Sequence, residues 1–162
     1  MTIERIAIPK QPFHLHKNEI PLVTEFCYWL DAHFGIEEYV TIKFKNFTNQ
    51  PLWGWCEPNS KTGDLDVVIN LTKTESLKDV LLTVAHEYVH VNQHDKETYV
   101  SGNPKEEYSY CDDPNEHEAW DRQEELVSAG IAQLVEQGFC KPQVVGSNPT
   151  SSTIVAQLSE MG

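Results

Sequence analysis

The stretch AHEYVHVNQH (residues 85–94) decides how the rest of this chain is interpreted. It holds three histidines spaced four residues apart, and a glutamate follows the first of them. Residues four apart lie on the same face of an α-helix, so His86 and His90 can bind one ion together. His94 lies two turns from His86, roughly 12 Å along the axis. The three histidines therefore cannot meet at one ion.

The two sides of this predicted helix differ in chemistry. His86 and His90 lie roughly opposite a broad apolar stripe made of Leu77, Val80, Leu81, Val84, Tyr88 and Val91. The HExxH pattern supplies two imidazole ligands for Zn²⁺, and Glu87 can reach water beside the ion as a general base. An amphipathic helix with surface histidines is the alternative. The opposed faces favour a metal site, whose third ligand has to come from another element.

Two candidates for the third ligand, Glu116 and Glu118, lie in NEHEAWD (residues 115–121). The helical face of Glu116 also carries Trp120, Val127 and Leu134, which indicates that it points toward the core. The face of Glu118 carries Arg122 and Glu125, which is typical of a solvated surface. We therefore favour Glu116 and keep Glu118 as the rival. Glu118 or Asp121 can also orient a histidine from behind.

These motifs resemble those of the gluzincin metallopeptidases, whose HExxH helix is completed by a glutamate on a following helix. Glu116 to Ala119 matches their ExxA pattern, and Trp120 stands where many relatives place an aspartate. The layout over residues 65–127 is similar to that of the small SprT-like and minigluzincin proteins of bacteria and phages. The resemblance implies an α+β, zincin-like fold and a zinc-dependent peptidase with His86, His90 and Glu116 as ligands.

The same resemblance suggests how a substrate would be handled. In that family the strand before the HExxH helix lies at the edge of the cleft and pairs with extended substrate, which assigns Asp66 and Val68 to substrate binding. Such enzymes also need a donor for the oxyanion. Tyr110 is the expected donor, with Tyr108 and His117 as alternatives.

A second function from another class stays open at this point. The chain could be a regulatory or interaction module that holds zinc without hydrolysing anything. A structural zinc site needs no base, and it usually closes with four protein ligands. The intact Glu87 therefore favours the peptidase.

Hydrophobic periodicity outlines the elements around these motifs. Apolar residues at helical spacing predict a first helix over residues 19–34, which ends at Gly35. Alternation and turn residues predict a small sheet of three mainly antiparallel strands, over residues 39–47, 52–57 and 65–71. A capping box at Thr72 to Glu75 predicts the start of the long helix that reaches about Asp95. A last helix is predicted from about Asn115, after Pro114.

Composition limits the partners. The chain has 162 residues and a net charge of -13, which predicts one domain that repels phosphate backbones and anionic membranes. The N-terminus has no apolar stretch of signal-peptide length, so we expect a cytoplasmic protein. Its expected partner is a protein or peptide substrate, with no nucleic acid and no membrane.

The last part of the chain has an unusual pattern. Residues 131–136, IAQLVE, and 146–149, GSNP, match the in-frame translation of the D arm and the T arm of a tRNA gene. Our hypothesis is that the reading frame runs into a tRNA gene, as happens where phages and other mobile elements integrate. We therefore divide the chain into a zincin-like metallopeptidase domain, residues 1–128, and a partly disordered tail, residues 129–162.

Overall fold

The computed structural model describes residues 2–99 and 113–138, which form a mixed β-sheet packed against α-helices. The strands of this part of the chain are β1 (Ile3–Ala7), β2 (Val40–Lys45), β3 (Gly54–Pro58) and β4 (Leu65–Asn70). Its α-helices are α1 (Ile20–Phe34), α2 (Leu77–Asp95) and α3 (Pro114–Glu136). The fold is therefore α+β, as predicted.

The sheet differs from the prediction in strand number and direction. Its order is β1-β2-β4-β3, with β1 and β4 both parallel to β2, and only β3 antiparallel to its neighbour β4. The prediction of three mainly antiparallel strands is therefore wrong. The alternation of apolar residues does not determine strand order or direction, and β4 lies between β3, with which it forms a hairpin, and β2, to which it is parallel. It also missed β1, a short strand near the N-terminus.

Helix α1 forms where the sequence predicted it. Pro21 lies in its first turn, where a missing N–H costs nothing, and Gly35 ends it in the left-handed conformation at φ 61°. Its inner face contributes Leu22, Phe26 and Leu30 to the core. The prediction for this helix is confirmed to within one residue at its start.

Helix α2 runs through the centre of the fold. It begins at Leu77, where the Ser76 side chain accepts a hydrogen bond from the Asp79 amide at 3.2 Å, and a short 3₁₀ turn at Leu71–Lys73 joins it to β4. The capping box predicted at Thr72 is therefore wrong, because Thr72 lies inside that turn. The predicted apolar stripe is confirmed as core, and His86 and His90 on the other side are also buried. Both sides of α2 are thus covered by protein.

Helix α3 starts at Pro114 with Asp113 as its cap and continues past residue 128. Ile131 and Leu134, beyond the predicted domain boundary, are buried in the same core as the rest of the helix. The structure describes no residue after 138, so the remainder of the predicted tail lies outside the described residues. Within the described part of the chain, no helix is both long enough and apolar enough to cross a membrane.

Candidate metal site

Helices α2 and α3 bring three predicted ligands to one point. His86 and His90 project from successive turns of α2, and Glu116 lies in the first turn of α3. One carboxylate oxygen of Glu116 is 2.8 Å from Nε2 of His86, and the other is 2.8 Å from Nε2 of His90. The ligand atoms of the three residues lie within 4.8 Å of one another. This group could hold a metal ion.

The hydrogen bonds behind the histidines determine which ring nitrogens face the centre. The side-chain amide nitrogen of Gln93 donates to the Asn115 carbonyl at 3.1 Å and to Glu118 at 2.7 Å, which fixes the orientation of that amide. Its oxygen therefore faces Nδ1 of His90, at 2.7 Å, and Nδ1 must donate. On His86, Nδ1 lies 2.9 Å from Oε1 of Gln123 in the same way. Both Nε2 atoms are left to face Glu116.

This arrangement needs positive charge between its members. A neutral imidazole that donates through Nδ1 presents a lone pair at Nε2, and a carboxylate oxygen also presents only lone pairs. Contacts of 2.8 Å between them are favourable only if each Nε2 carries a proton or if all three groups share a cation. Two imidazoles and one carboxylate are a donor set of catalytic zinc sites, which keep a further position open. The residues present therefore fit a metal ion.

The electrostatics of the metal-free group agree with that geometry. Burial disfavours charge on His90, but the hydrogen bond to Glu116 and the charge of Glu87 outweigh it and raise the pKa of His90 to about 9. The same balance raises the pKa of His86. Burial also opposes the charge on Glu116, yet the hydrogen bonds from both histidines hold its pKa far below the ordinary value. Protons and a metal cation would therefore compete for the same Nε2 atoms.

Glu87 lies beside the group and lines an open cleft. Its residue surface is only 5% exposed, and burial raises the pKa of Glu87 to about 7, although the nearby His86 and His90 act in the opposite direction. A carboxylate with a near-neutral pKa can take up and release a proton at physiological pH. Its role as a general base stays a prediction.

Glu116 and Glu118 have different contacts. Glu116 touches both histidines, whereas Glu118 accepts from Gln93 and forms an ion pair with Arg122 at 3.5 Å. Glu118 therefore acts on His90 only through Gln93. Asp121 is exposed on α3.

His94 stacks on Tyr99 with ring centroids 4.3 Å apart, and it is not a member of the metal-capable group found among the described residues.

The cleft beside Glu87 has a volume of about 490 Å³. One wall comes from the loop before β3, at Leu52 and Trp53, and the other from Trp120 on α3. Trp120 occupies the position where the resembling family has an aspartate, and here its ring lies 6.3 Å from the ring of His86. Gln123, three residues later, makes the contact to His86 that such an acid could make. Trp120 thus forms a wall of the cleft, and Gln123 supports the His86 ring.

The strand assigned to substrate is not at an edge. β4 carries Asp66 and Val68, and it is paired with β2 on one side and with β3 on the other. Its main-chain groups are therefore used within the sheet, and the prediction that β4 is the cleft edge is wrong. Asp66 instead accepts from Asn59 at 3.0 Å and pairs with Lys43 at 3.6 Å. The antiparallel strand β3 forms that end of the sheet among the described residues.

The predicted oxyanion donors are only partly covered by the structure. Tyr108 and Tyr110 lie outside the described residues. His117 is exposed on α3, and its ring meets the edge of Trp120 at 5.8 Å between centroids. Tyr99, which the sequence analysis did not single out, stands 6.3 Å from the ring of His90. Its main-chain amide is held by the carbonyl of Gln93 at 3.1 Å.

Several residues of the site were missed from sequence although helical spacing carries a signal for two of them. Gln93 follows His90 by three residues, and Gln123 follows Glu116 by seven, so each shares a face with a ligand. Asn70 and Gly54 had no such signal. Gly54 lies so close to α2 that a Cβ atom there would be 3.3 Å from Cγ of Glu87 and 2.7 Å from the Val68 carbonyl oxygen.

The site is thus a His-His-Glu group with an adjacent buried carboxylate at the base of a cleft. A scan against protein-family models, a search of curated proteins and a search of solved structures each found no match to this chain.

Proposed function

We propose that this protein is a zinc-dependent peptidase that hydrolyses peptide bonds in protein or peptide substrates. The observation that carries the proposal is the combination of the His86, His90 and Glu116 group with Glu87 at the base of an open cleft. A purely structural zinc site closes with four protein ligands and uses no base. Three ligands and an adjacent carboxylate support a catalytic site instead.

In this proposal Nε2 of His86, Nε2 of His90 and the carboxylate of Glu116 would hold Zn²⁺. Gln93 and Gln123 keep both imidazoles in the tautomer that directs Nε2 inward. When bound, zinc supplies Lewis-acid polarisation of water and of the substrate carbonyl. Glu87 takes the proton from the attacking water on its carboxylate and passes it to the leaving amine.

The experiment that tests this function compares Glu87→Gln with the wild type. Glutamine keeps the shape of the side chain and cannot take a proton, so we expect cleavage of unfolded casein to fall by about 10²–10⁴-fold. Bound zinc, measured by inductively coupled plasma mass spectrometry, should be unchanged. Glu125→Gln, an exposed site on α3, is the matched control and should cleave like the wild type.

Three outcomes would overturn the proposal. Equal cleavage by wild type and Glu87→Gln would remove the role of the base, and bound zinc without any cleavage would favour a non-hydrolytic zinc-holding module. Purified protein that takes up no zinc at all, with the fold intact by circular dichroism, would remove both functions.

A further inference from the structure

The cleft beside Glu87 concentrates exposed apolar side chains. Trp53, Leu52 and Trp120 expose 49%, 43% and 36% of their surface, and all three line this one cleft together with Leu82 of α2. Large apolar side chains left open to water around a concave surface indicate a binding site. The volume of about 490 Å³ falls within the roughly 300–1,000 Å³ typical of small-ligand pockets. It can hold one large side chain and its adjoining main chain.

The wall that carries Trp53 is held in place by a buried asparagine. The side-chain nitrogen of Asn70, which is fully buried, donates to the carbonyls of Gln50 at 3.2 Å and Leu52 at 3.1 Å. Its main-chain amide donates to the Trp53 carbonyl at 2.8 Å. A loop fixed at three points before β3 presents its side chains without a large ordering cost on binding. The wall is therefore preformed.

Charge within the cleft selects against one class of side chain. Asp79 and Glu87 are the carboxylates among the lining residues, and no lysine or arginine lines the cleft. The carboxylate of Asp79 already accepts from the Glu75 main chain at 2.9 Å. An acidic side chain entering between the tryptophans would lose water against their apolar surfaces and would lie near the Asp79 carboxylate. A neutral apolar side chain has no such penalty.

We propose that this cleft binds a bulky apolar side chain, of the size of phenylalanine or leucine, between Trp53 and Trp120. The occupant belongs to an extended peptide whose neighbouring bond lies over Glu87, so the inference rests on the proposed function and adds a substrate class to it. Aromatic walls recognise such a side chain by area and by ring packing.

The test measures binding and not turnover. Zinc-loaded Glu87→Gln protein is titrated with blocked peptides of sequence Ala-Ala-Xaa-Ala-Ala, in which Xaa is Phe, Leu, Ala, Lys or Glu, and binding is followed by calorimetry. We expect the Phe peptide to bind about tenfold or more tightly than the Ala peptide, and more tightly than the Lys and Glu peptides. Adding Trp53→Ala should reduce the Phe preference to about threefold or less. Bound zinc and the circular dichroism spectrum should stay unchanged.

Trp55→Ala in the same background is the matched control. Trp55 is a neighbouring tryptophan that stacks on Phe47 and does not line the cleft. It should leave the Phe preference unchanged. Equal affinity for all five peptides, or tighter binding of the Lys peptide, would overturn the inference. So would a dimer that Trp53→Ala dissociates, because a second copy would then cover the cleft.

Failure of this inference and failure of the proposed function give different results. If wild type cleaves casein but binding shows no preference for Phe, the peptidase stands and the apolar selection falls. If binding selects Phe but wild type cleaves neither casein nor the Phe peptide, the cleft inference stands as a peptide-binding site and the peptidase falls.

Discussion

The two sides of the cleft differ in the secondary structure that forms them and in the chemistry of their side chains. The helical side, from α2 and α3, holds His86, His90 and Glu116 in short polar contacts, with Gln93 and Gln123 supporting the rings from behind. The strand side, from β3 and the loop before it, presents apolar surface whose main chain is tied down by Asn70. The polar group on the helices fixes the directions of individual atoms, and the loop before β3, together with Trp120 of α3, fixes the shape of the cleft.

This difference indicates a division of labour. Metal binding and proton transfer require ligand atoms in fixed directions, and packed helices provide them because each side chain is held by a neighbour on another element. Recognition of an apolar side chain requires area and not direction, which a loop can provide once its main chain is held. If this interpretation is right, changes on one side of the cleft should leave the other side working.

The largest effect is expected on the helical side, from Glu116→Gln. Loss of a carboxylate that touches both histidines should lower zinc affinity by more than the roughly 10–100-fold that an orienting residue contributes. Glu118→Gln, which touches only Gln93 and Arg122, should cost about tenfold or less. Competition with a fluorescent chelator measures both. Similar losses in the two variants would make Glu118 a ligand in its own right.

A smaller effect is expected on the strand side, from Asn70→Ala. Removal of this fully buried side chain leaves the carbonyls of Gln50 and Leu52 without their donor and should lower the free energy of unfolding by about 1–3 kcal/mol, measured in urea. Peptide selectivity should weaken and zinc affinity should not change. Asn46→Ala, an exposed site with one bond to Gln11, is the control. A loss of zinc affinity in Asn70→Ala would break the proposed separation of the two sides.

The smallest effect concerns the metal-free protein and pH. The pKa of His90 is raised above its ordinary value of 6.5 to about 9, so its contribution to stability is full below about pH 6.5 and is lost as the pH rises toward about 9. The raised pKa of His86 acts in the same direction. In EDTA, the melting temperature should fall by roughly a few degrees over that range.

With excess zinc the same pH series should lose that slope, because the ion replaces the protons between the histidines and Glu116. Matching slopes with and without zinc would show that these protons do not contribute to stability.

The three helices and the metal-capable group could be predicted from sequence because both depend on local spacing. His86 and His90 are brought together by one turn of one helix, and the apolar face of Glu116 indicated its direction. Glu87 was predicted as the general base because it directly follows His86 in the HExxH pattern. These relations hold over a few residues and need no knowledge of the tertiary fold.

The sheet and the cleft could not be predicted in the same way. That β4 inserts between β2 and β3 depends on pairing between distant segments, and strand alternation carries no information about it. Asn70 holds the loop before β3 and Trp53 forms a cleft wall on that loop, so both roles depend on the path of the loop. The contact from Gln123 to His86 requires the crossing of α2 and α3, which only the packed structure provides. What the sequence lacked was therefore information on which elements are neighbours.

Helix α3 has a close contact far from its ligand end. At Gly130 a Cβ atom would lie 2.5 Å from the ring of Phe26 and 2.9 Å from that of Trp29, so α3 meets α1 with no room for a side chain. Glu116 stands about 21 Å away along the same helix at 1.5 Å per residue. Any residue larger than glycine at position 130 would push α3 away from α1 or force the rings of Phe26 and Trp29 to move. The packing that places the candidate ligand Glu116 thus depends in part on a glycine at the far end of its helix.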